Sequence, residues 1–445
     1  MQSVKKRVIF IFGAGAAMDW GGPKTICGGE DYRVIPDHQT GEIKNRPCCL
    51  THLITKTGFK NAKGERITKV IYDLLTSANK ACNFEGLINI LEDLYAYYGV
   101  KFNDGQKKDD AALSSIFDFD IAIDSLSHFE IRNRNGVTNS YTLHIPGHEL
   151  YDQDNLPANI SPHQKYFELF INDVLGGIIG HISKYAYYRP GYDVIFCEAN
   201  KKINDDFYKW MDAFTGGACI ARMYTLNYDC IFKILLELKG INIFDGFGVQ
   251  SGTLDFSQSF PPNLKRIVND FDSHSFYNLH GSAYWDVEPG SFDAFAGYQY
   301  NIQPIGPIPR SSVSAEMEKG KSILLTSIIT GYQKVQRTAI SPFRQMFSAF
   351  DRDCYNADEI YIIGYSFGDE HVNDIIRNAK RNNQPAKITI VDPAFNELQF
   401  LINFMSHWGI TGAGIYRNAG DEIVSDLLNI RISKKTFAGF LSGEI

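Results

Sequence analysis

Val8-Ile9-Phe10-Ile11-Phe12-Gly13-Ala14-Gly15-Ala16-Ala17 is the stretch on which the fold turns. Five consecutive apolar residues with no polar alternation predict a strand buried on both faces of a parallel sheet. The Gly-Ala-Gly that follows predicts a tight turn from strand into helix, where glycines let the backbone approach a ligand and free amides face a phosphate. The dinucleotide fingerprint is incomplete, because Met18 stands where a dehydrogenase would have its third glycine. No G-K-[ST] phosphate loop occurs. A tight turn that binds nothing is the competing reading of these residues. Lys5-Lys6-Arg7 and the apolar run to Ala17 also have the outline of a short secretory signal, with an A-x-A at Ala14 and Ala16. A buried first strand and its turn account for the same pattern.

Working outward, the eight cysteines (27, 48, 49, 82, 197, 219, 230 and 354) form no C-x-x-C pair. A zinc ribbon is therefore not expected, and neither is any other metal. Scattered thiols in a 445-residue chain fit a reducing cytoplasm better than a disulfide framework. The length predicts two or three domain-sized units. A net charge of −7 argues against a dedicated nucleic-acid binder or a partner of anionic membranes. No segment approaches the roughly 20 apolar residues of a spanning helix, so a soluble cytoplasmic protein is expected.

Residues 21–66 lack periodicity and read as a long loop with one short helix. From Asn83, Leu87, Ile90, Leu91, Leu94, Tyr95 and Tyr98 follow helical spacing. Residues 101–160 are polar and irregular. Ser161-Pro162-His163-Gln164 has the form of a helix start, with an apolar stripe from Phe167 to Ile182, and another helix is expected around Asp205 to Phe214. After Gly216 strands and helices alternate: strands at Cys219–Leu226, Ser275–Leu279, Glu359–Gly364 and Lys387–Val391, and helices at Asp229–Lys239, from Ser341-Pro342 towards Tyr355, at Asp369–Asn382 and at Asn396–His407. Such alternation predicts right-handed crossovers and a parallel sheet. The fold class is thus α/β, a Rossmann-like parallel sheet domain with a large inserted helical lobe. The sheet domain is discontinuous, at 1–66 and 216–445 with βα alternation nearly to the C-terminus. The insertion occupies 67–215.

Three further segments end predicted strands: Thr225-Leu226-Asn227-Tyr228-Asp229, Asn278-Leu279-His280-Gly281-Ser282 and Ile363-Gly364-Tyr365-Ser366-Phe367-Gly368-Asp369-Glu370-His371. Ligands of open parallel sheets bind at the carboxyl ends of strands. A G-A-G turn after strand one, then T-x-N-[IY]-D, then H-G, then G-[TY]-S, in that order, resembles the sirtuin superfamily. L-H-G-S with G-Y-S-F-G-D-E-H is similar to its SIR2-like branch of bacterial anti-phage defence proteins. The resemblance covers most of the sheet domain and none of the insertion.

What the resemblance implies is an enzyme that uses NAD⁺ as substrate, acting as a regulated NAD⁺ glycohydrolase that depletes the cofactor in abortive infection. It implies cofactor contacts from Gly13, Ala14, Gly15 and Ala16 in the pyrophosphate turn. Trp20 and Pro23 would lie in the loop over the nicotinamide ribose, and Gly22 with them. Asp229 and the catalytic Asn227 would position the ribose and nicotinamide. His280 would be the catalytic histidine, Gly364 and Ser366 the nucleotide contacts, and Asp392 a group near the adenosine ribose. Control is expected from homo-oligomerisation or from a separately encoded partner, such as a helicase-like ATPase or an Argonaute-type protein.

The chemistry suits those residue types. Nicotinamide leaves as a neutral molecule, so no general acid is needed, and a histidine can take a proton from a hydroxyl or a water. A glycine beside it leaves room for the sugar. Bland alternatives stand beside this reading: Asn227 as a helix cap, Asp229 as a first-turn carboxylate and His280 as a core histidine. His371 and His274 read as structural, and Arg377, Lys380 and Arg381 as a solvated helix face. At the level of function, a non-catalytic NAD or ADP-ribose sensor and a protein deacylase are the rivals. The second is disfavoured by the absent zinc ribbon.

Overall fold

The apolar run of the first turn region forms β1 (Lys6–Phe12), and Val8 to Phe12 have no solvent exposure at all. The computed structural model describes residues 5–22, 32–36, 43–47, 49–61, 63–77, 82–97, 130–133, 141–144, 150–153, 162–186, 194–247, 262–288, 299–302, 313–318, 321–330, 334–382, 386–408 and 416–444. Pro23, Tyr98 and Ser161 lie outside the described residues.

Seven more strands join β1 in one sheet: β2 (Cys219–Thr225), β3 (Ser275–Asn278), β4 (Glu359–Ile363), β5 (Lys387–Val391), β6 (Arg417–Ala419), β7 (Glu422–Ser425) and β8 (Ile430–Ser433). The spatial order is β6-β7-β8-β5-β4-β1-β2-β3. β3, β2, β1, β4, β5 and β8 run parallel, and β7 and β6 close one edge antiparallel. The chain moves from β1 outward through β2 to β3, then returns to the other side of β1 for β4 and β5. The order 3-2-1-4-5 is Rossmann-like, with its topological switch between β1 and β4.

Alternate residues of β1 serve opposite faces, as the period of two requires. Val8, Phe10 and Phe12 join a core with α4 (Lys201–Thr215), α5 (Ile231–Leu238) and α9 (Phe437–Glu444). The Phe10 ring lies 5.3 Å from Trp210 and 5.2 Å from Phe214, both edge-on. Ile9 and Ile11 join a second core, with α6 (Phe343–Tyr355), α7 (Glu370–Asn382) and α8 (Leu398–His407). Both faces are therefore covered, and the unbroken apolar character of the strand follows.

Residues 67–215, expected as an insertion, hold α1 (Ile67–Ser77), α2 (Phe84–Tyr97) and α3 (Pro162–Ile182). Their apolar faces run into the same core as Val8, Phe10 and Phe12. α4 packs on the sheet itself. Three expectations differ from what forms. The first turn enters a 3-10 helix, Ala14–Trp20. Within the polar stretch 101–160, the segments Glu130–Asn133, Tyr141–His144 and Leu150–Gln153 make a three-stranded antiparallel sheet. Beyond residue 408 the expected βα alternation gives way to the antiparallel β6–β8. The loop 21–66 contains a hairpin of Tyr32–Pro36 with Ile43–Pro47 and the short helix Leu50–Ile54. No helix among the described residues is long and apolar enough to cross a membrane.

Candidate active site

Register places the site. Phe12 is level with Thr225 and Ile363, Thr225 with Asn278, and Ile363 with Val391. Five strands thus end on one line, and the residues that follow them meet at one edge. A cavity of about 650 Å³ opens there, within the roughly 300–1,000 Å³ usual for ligand pockets. Its wall includes Gly13, Ala14, Gly15, Asn227, Asp229, His280, Gly364, Ser366 and Asp392.

The wall at the switch point is backbone. The Gly13 amide donates to the Ile363 carbonyl at 2.9 Å and the Gly15 amide to the Gly364 carbonyl at 2.8 Å. A Cβ on Gly13 would fall 2.5 Å from the Gly364 oxygen, and one on Gly15 would fall 2.7 Å from the Gly364 Cα. Gly364 has φ of 60°, and a Cβ there would sit 2.1 Å from the Ala16 nitrogen. These glycines are required by the contact between two turns, whatever ligand is bound. Their amides are used within the fold, so the expectation of Gly13 and Gly15 amides free for a phosphate is corrected.

The next wall is side chains. Asn227 follows β2 and is buried; its amide N–H donates to Thr225 Oγ1 at 3.0 Å, while its side-chain Nδ2 has no partner. It does not cap α5, whose N-cap is Cys230, so the capping alternative fails. Asp229 does serve the helix start, since its Oδ1 accepts from the Ile231 amide at 3.3 Å. Its Oδ2 accepts from the Tyr185 hydroxyl at 3.2 Å. Burial outweighs these bonds and pushes the Asp229 carboxyl up to about 6. Asn278 ties the loop down, donating to the carbonyls of Asn227 and Asp229 at 3.3 and 3.4 Å.

His280 is buried, 2% exposed, and its Nε2 has no partner. A hydrogen bond to the Leu226 carbonyl holds the ring. Burial first, and then the Lys334 ammonium, drive its pKa down to about 3, against a smaller opposing pull from Asp369. At neutral pH it is an uncharged imidazole. Gly281 has φ of 81°, and a Cβ there would lie 2.1 Å from the Ser327 oxygen. The glycine leaves room for the 327–329 backbone, which bonds the His280 carbonyl through the Ile329 amide at 2.8 Å. It does not leave room for a sugar, as the sequence suggested.

A family model described as SIR2-like domain matches residues 221–410. That stretch, less than half of the chain, is similar to SIR2-like domains. No curated protein matches it. Asn227, Asp229, His280, Gly364, Ser366 and Asp392 all lie within the matched SIR2-like stretch, and the Gly-Ala-Gly turn and the insertion lie outside it. SIR2-like domains use NAD⁺, so chemistry on that nucleotide is supported in general.

Two expected contacts of the SIR2-like site are elsewhere. Trp20 is 1% exposed and forms no part of the cavity wall. Its Nε1 donates to Asn204 Oδ1 at 2.8 Å, and its ring meets Phe207, Phe232 and Phe437. Burial of a large indole with a satisfied N–H makes it a core residue. Ala16 is likewise buried and off the wall. Asp392 reaches the wall, and its Oδ1 also accepts from the Ala394 amide at 2.8 Å. His274 Nδ1 accepts from the Ala221 amide at 3.0 Å, which fits its structural reading. Lys380, read as solvated, is buried and donates to the Ala386 carbonyl at 2.9 Å. Arg377 pairs with Asp374 at 2.5 Å and with Glu370.

Other wall residues, among them Tyr185, Glu85 and Lys334, were not singled out by the sequence. Tyr185 and Glu85 come from the insertion, and Lys334 from a stretch without periodicity. Lys334 Nζ lies 2.5 Å from Asp369 Oδ1 and 3.0 Å from Glu85 Oε1. Burial would lower its pKa, but these two carboxylates raise it. Asp369 is held below the usual range: burial would raise it, and His280 and Lys334 lower it more.

Proposed function

We propose that the chain is an NAD⁺ glycohydrolase, cleaving the nicotinamide–ribose bond to give nicotinamide and ADP-ribose. The observation that carries this reading is a pair of buried, unpartnered polar atoms in one cavity wall at the switch point, Asn227 Nδ2 and His280 Nε2. Buried polar groups are nearly always paired, and these two, each just past a strand end in the wall of one cavity, are suited to a polar ligand. Asn227 Nδ2 is a donor suited to a ribose hydroxyl or to the nicotinamide carboxamide oxygen. The Asp229 carboxylate favours a pyridinium nearby while that ring is still positive.

The bond from C1′ to the ring nitrogen breaks with its electron pair going to nitrogen, and a water oxygen adds to C1′. His280 Nε2 accepts the proton that this water loses. A conjugate-acid pKa of about 3 makes a weak base. It suffices, because water bonded to an oxocarbenium-like carbon is far more acidic than the imidazolium it would form. Holding ribose and water against the buried Asn227, Asp229 and His280 side chains supplies the rest, through orientation.

Resemblance to the anti-phage branch supports a biological role as a regulated NAD⁺-depleting effector, governed by self-assembly or a separate partner chain. The test is incubation of the purified chain with NAD⁺, alone and with whatever co-purifies, following nicotinamide and ADP-ribose together. Equimolar appearance of the two supports hydrolysis. Saturable binding of NAD⁺ or ADP-ribose without nicotinamide release under either condition would favour a sensor, and NAD⁺-dependent loss of acetyl from a lysine peptide would favour a deacylase.

A further inference from the structure

His280, Asp369 and His371 each turn one potential ligand atom into a common space, all within 4.8 Å of one another. His371 is not part of the cavity wall and has no role in the chemistry above. Its Nε2 is buried without a partner, as is that of His280, and the two rings are 5.9 Å apart. The bond from His280 to the Leu226 carbonyl fixes the ring and leaves Nε2 for a ligand, the support that metal-bound imidazoles commonly have. We propose that His280, Asp369 and His371 form a binding site for one divalent transition cation of the zinc class, and that its occupancy switches the nucleotide chemistry off. The binding stands without the glycohydrolase reading; the switching rests on it.

The donor set decides the cation. Two imidazoles and a carboxylate suit zinc, cobalt, nickel or ferrous iron, and suit magnesium or calcium poorly. Neutral imidazole is the coordinating form of both histidines, and each has a buried Nε2 without a partner. Lys334, Glu85 and Asp369 together carry one net negative charge beside them. Lys334 engages Asp369 through Oδ1, and the carboxylate has a second oxygen. Tetrahedral bonds of about 2.0–2.2 Å set ligand atoms about 3.3–3.5 Å apart, so the three groups must close by up to roughly an ångström and a half on binding. Coordination consumes His280 Nε2, the atom proposed to accept the proton from water.

Cobalt(II) titration of the metal-free chain tests the site directly. One equivalent should bind with the visible bands of a tetrahedral nitrogen–oxygen site. His371→Ala should weaken zinc binding at least tenfold, measured by competition with a chromophoric chelator, and His371→Gln should do the same if the alanine variant folds poorly. Without metal, His371→Ala should cleave NAD⁺ as the wild type does, and it should resist inhibition by zinc. Thiolate-to-cobalt charge-transfer bands, or zinc affinity unchanged in both variants, would overturn the site. Tight zinc binding at His371 with NAD⁺ cleavage unaffected would overturn the switch alone, and zinc binding in a chain that never cleaves NAD⁺ would count against the glycohydrolase reading and leave the site intact.

Discussion

Along β1 and β4 the crevice wall is backbone pressed on backbone, whereas along β2 and β3 it is side chains with spare hydrogen-bonding capacity. In the first region the Gly13 and Gly15 amides have carbonyl partners and no Cβ fits. In the second, Asn227 Nδ2 and His280 Nε2 have none, and Asp229 is kept at a raised pKa. One region is therefore organised for stability and the other at a cost to it. Residues that store such cost cluster where chemistry is done.

Substitution should separate the two. The largest effect is expected from Gly364→Ala, which adds a Cβ 2.1 Å from the Ala16 nitrogen at a φ of 60°. Loss of about 4 kcal/mol or more, enough to prevent folding of many domains, should appear in thermal unfolding and soluble yield. A tolerated alanine would break the comparison at its firmest point. Next comes His280→Ala, which should lower nicotinamide release about 10²–10⁴-fold, the range for removing a general base, while the melting temperature moves little.

Asp229→Asn should act in opposite directions on stability and rate. The folded carboxyl holds its proton up to about 6, against about 3.9 unfolded, so wild-type stability falls as pH rises through that window. At pH 8 the asparagine variant should be more stable by up to about 3 kcal/mol, by chemical denaturation, and slower in nicotinamide release. A variant that is less stable at pH 8 would show that the carboxylate is structural. His280 contributes with the reverse sign. Its folded pKa is depressed, so the stability present above pH 6.5 is lost as pH falls towards 3. The two slopes offset in wild type, and Asp229→Asn should therefore expose a steeper acid destabilisation. The smallest effect is that of Asp392→Ala, which removes the bond to the Ala394 amide and should cost about 1 kcal/mol, as lost caps do.

Much of this was legible in the sequence because it rests on local pattern. An unbroken apolar run ending in a Gly-Ala-Gly turn suits a strand covered on both faces, and β1 is one. Polar residues just after predicted strands had to gather at one edge once the strands were parallel and in register. What was illegible depends on partners far along the chain. Trp20 sits five residues past Gly15, so analogy placed it over the ligand, yet Phe207, Phe232 and Phe437 enclose it. Gly281 was read as room for a sugar because nothing in its neighbourhood announces Ser327. Lys334 reaches Glu85 across 249 positions without a periodic signal. The edge strands β6–β8 have only three or four residues each, and β6 is polar and exposed, too little pattern to distinguish from a loop.

The central claim is that His280 Nε2 and Asn227 Nδ2 are unpartnered because a nucleotide completes them. Its most direct test is nicotinamide release by wild type, His280→Ala and Asn227→Ala, each first shown to unfold at a similar temperature. The account predicts that both variants fold and that each releases nicotinamide at least about a hundredfold more slowly than wild type. Wild-type rates from both would contradict it.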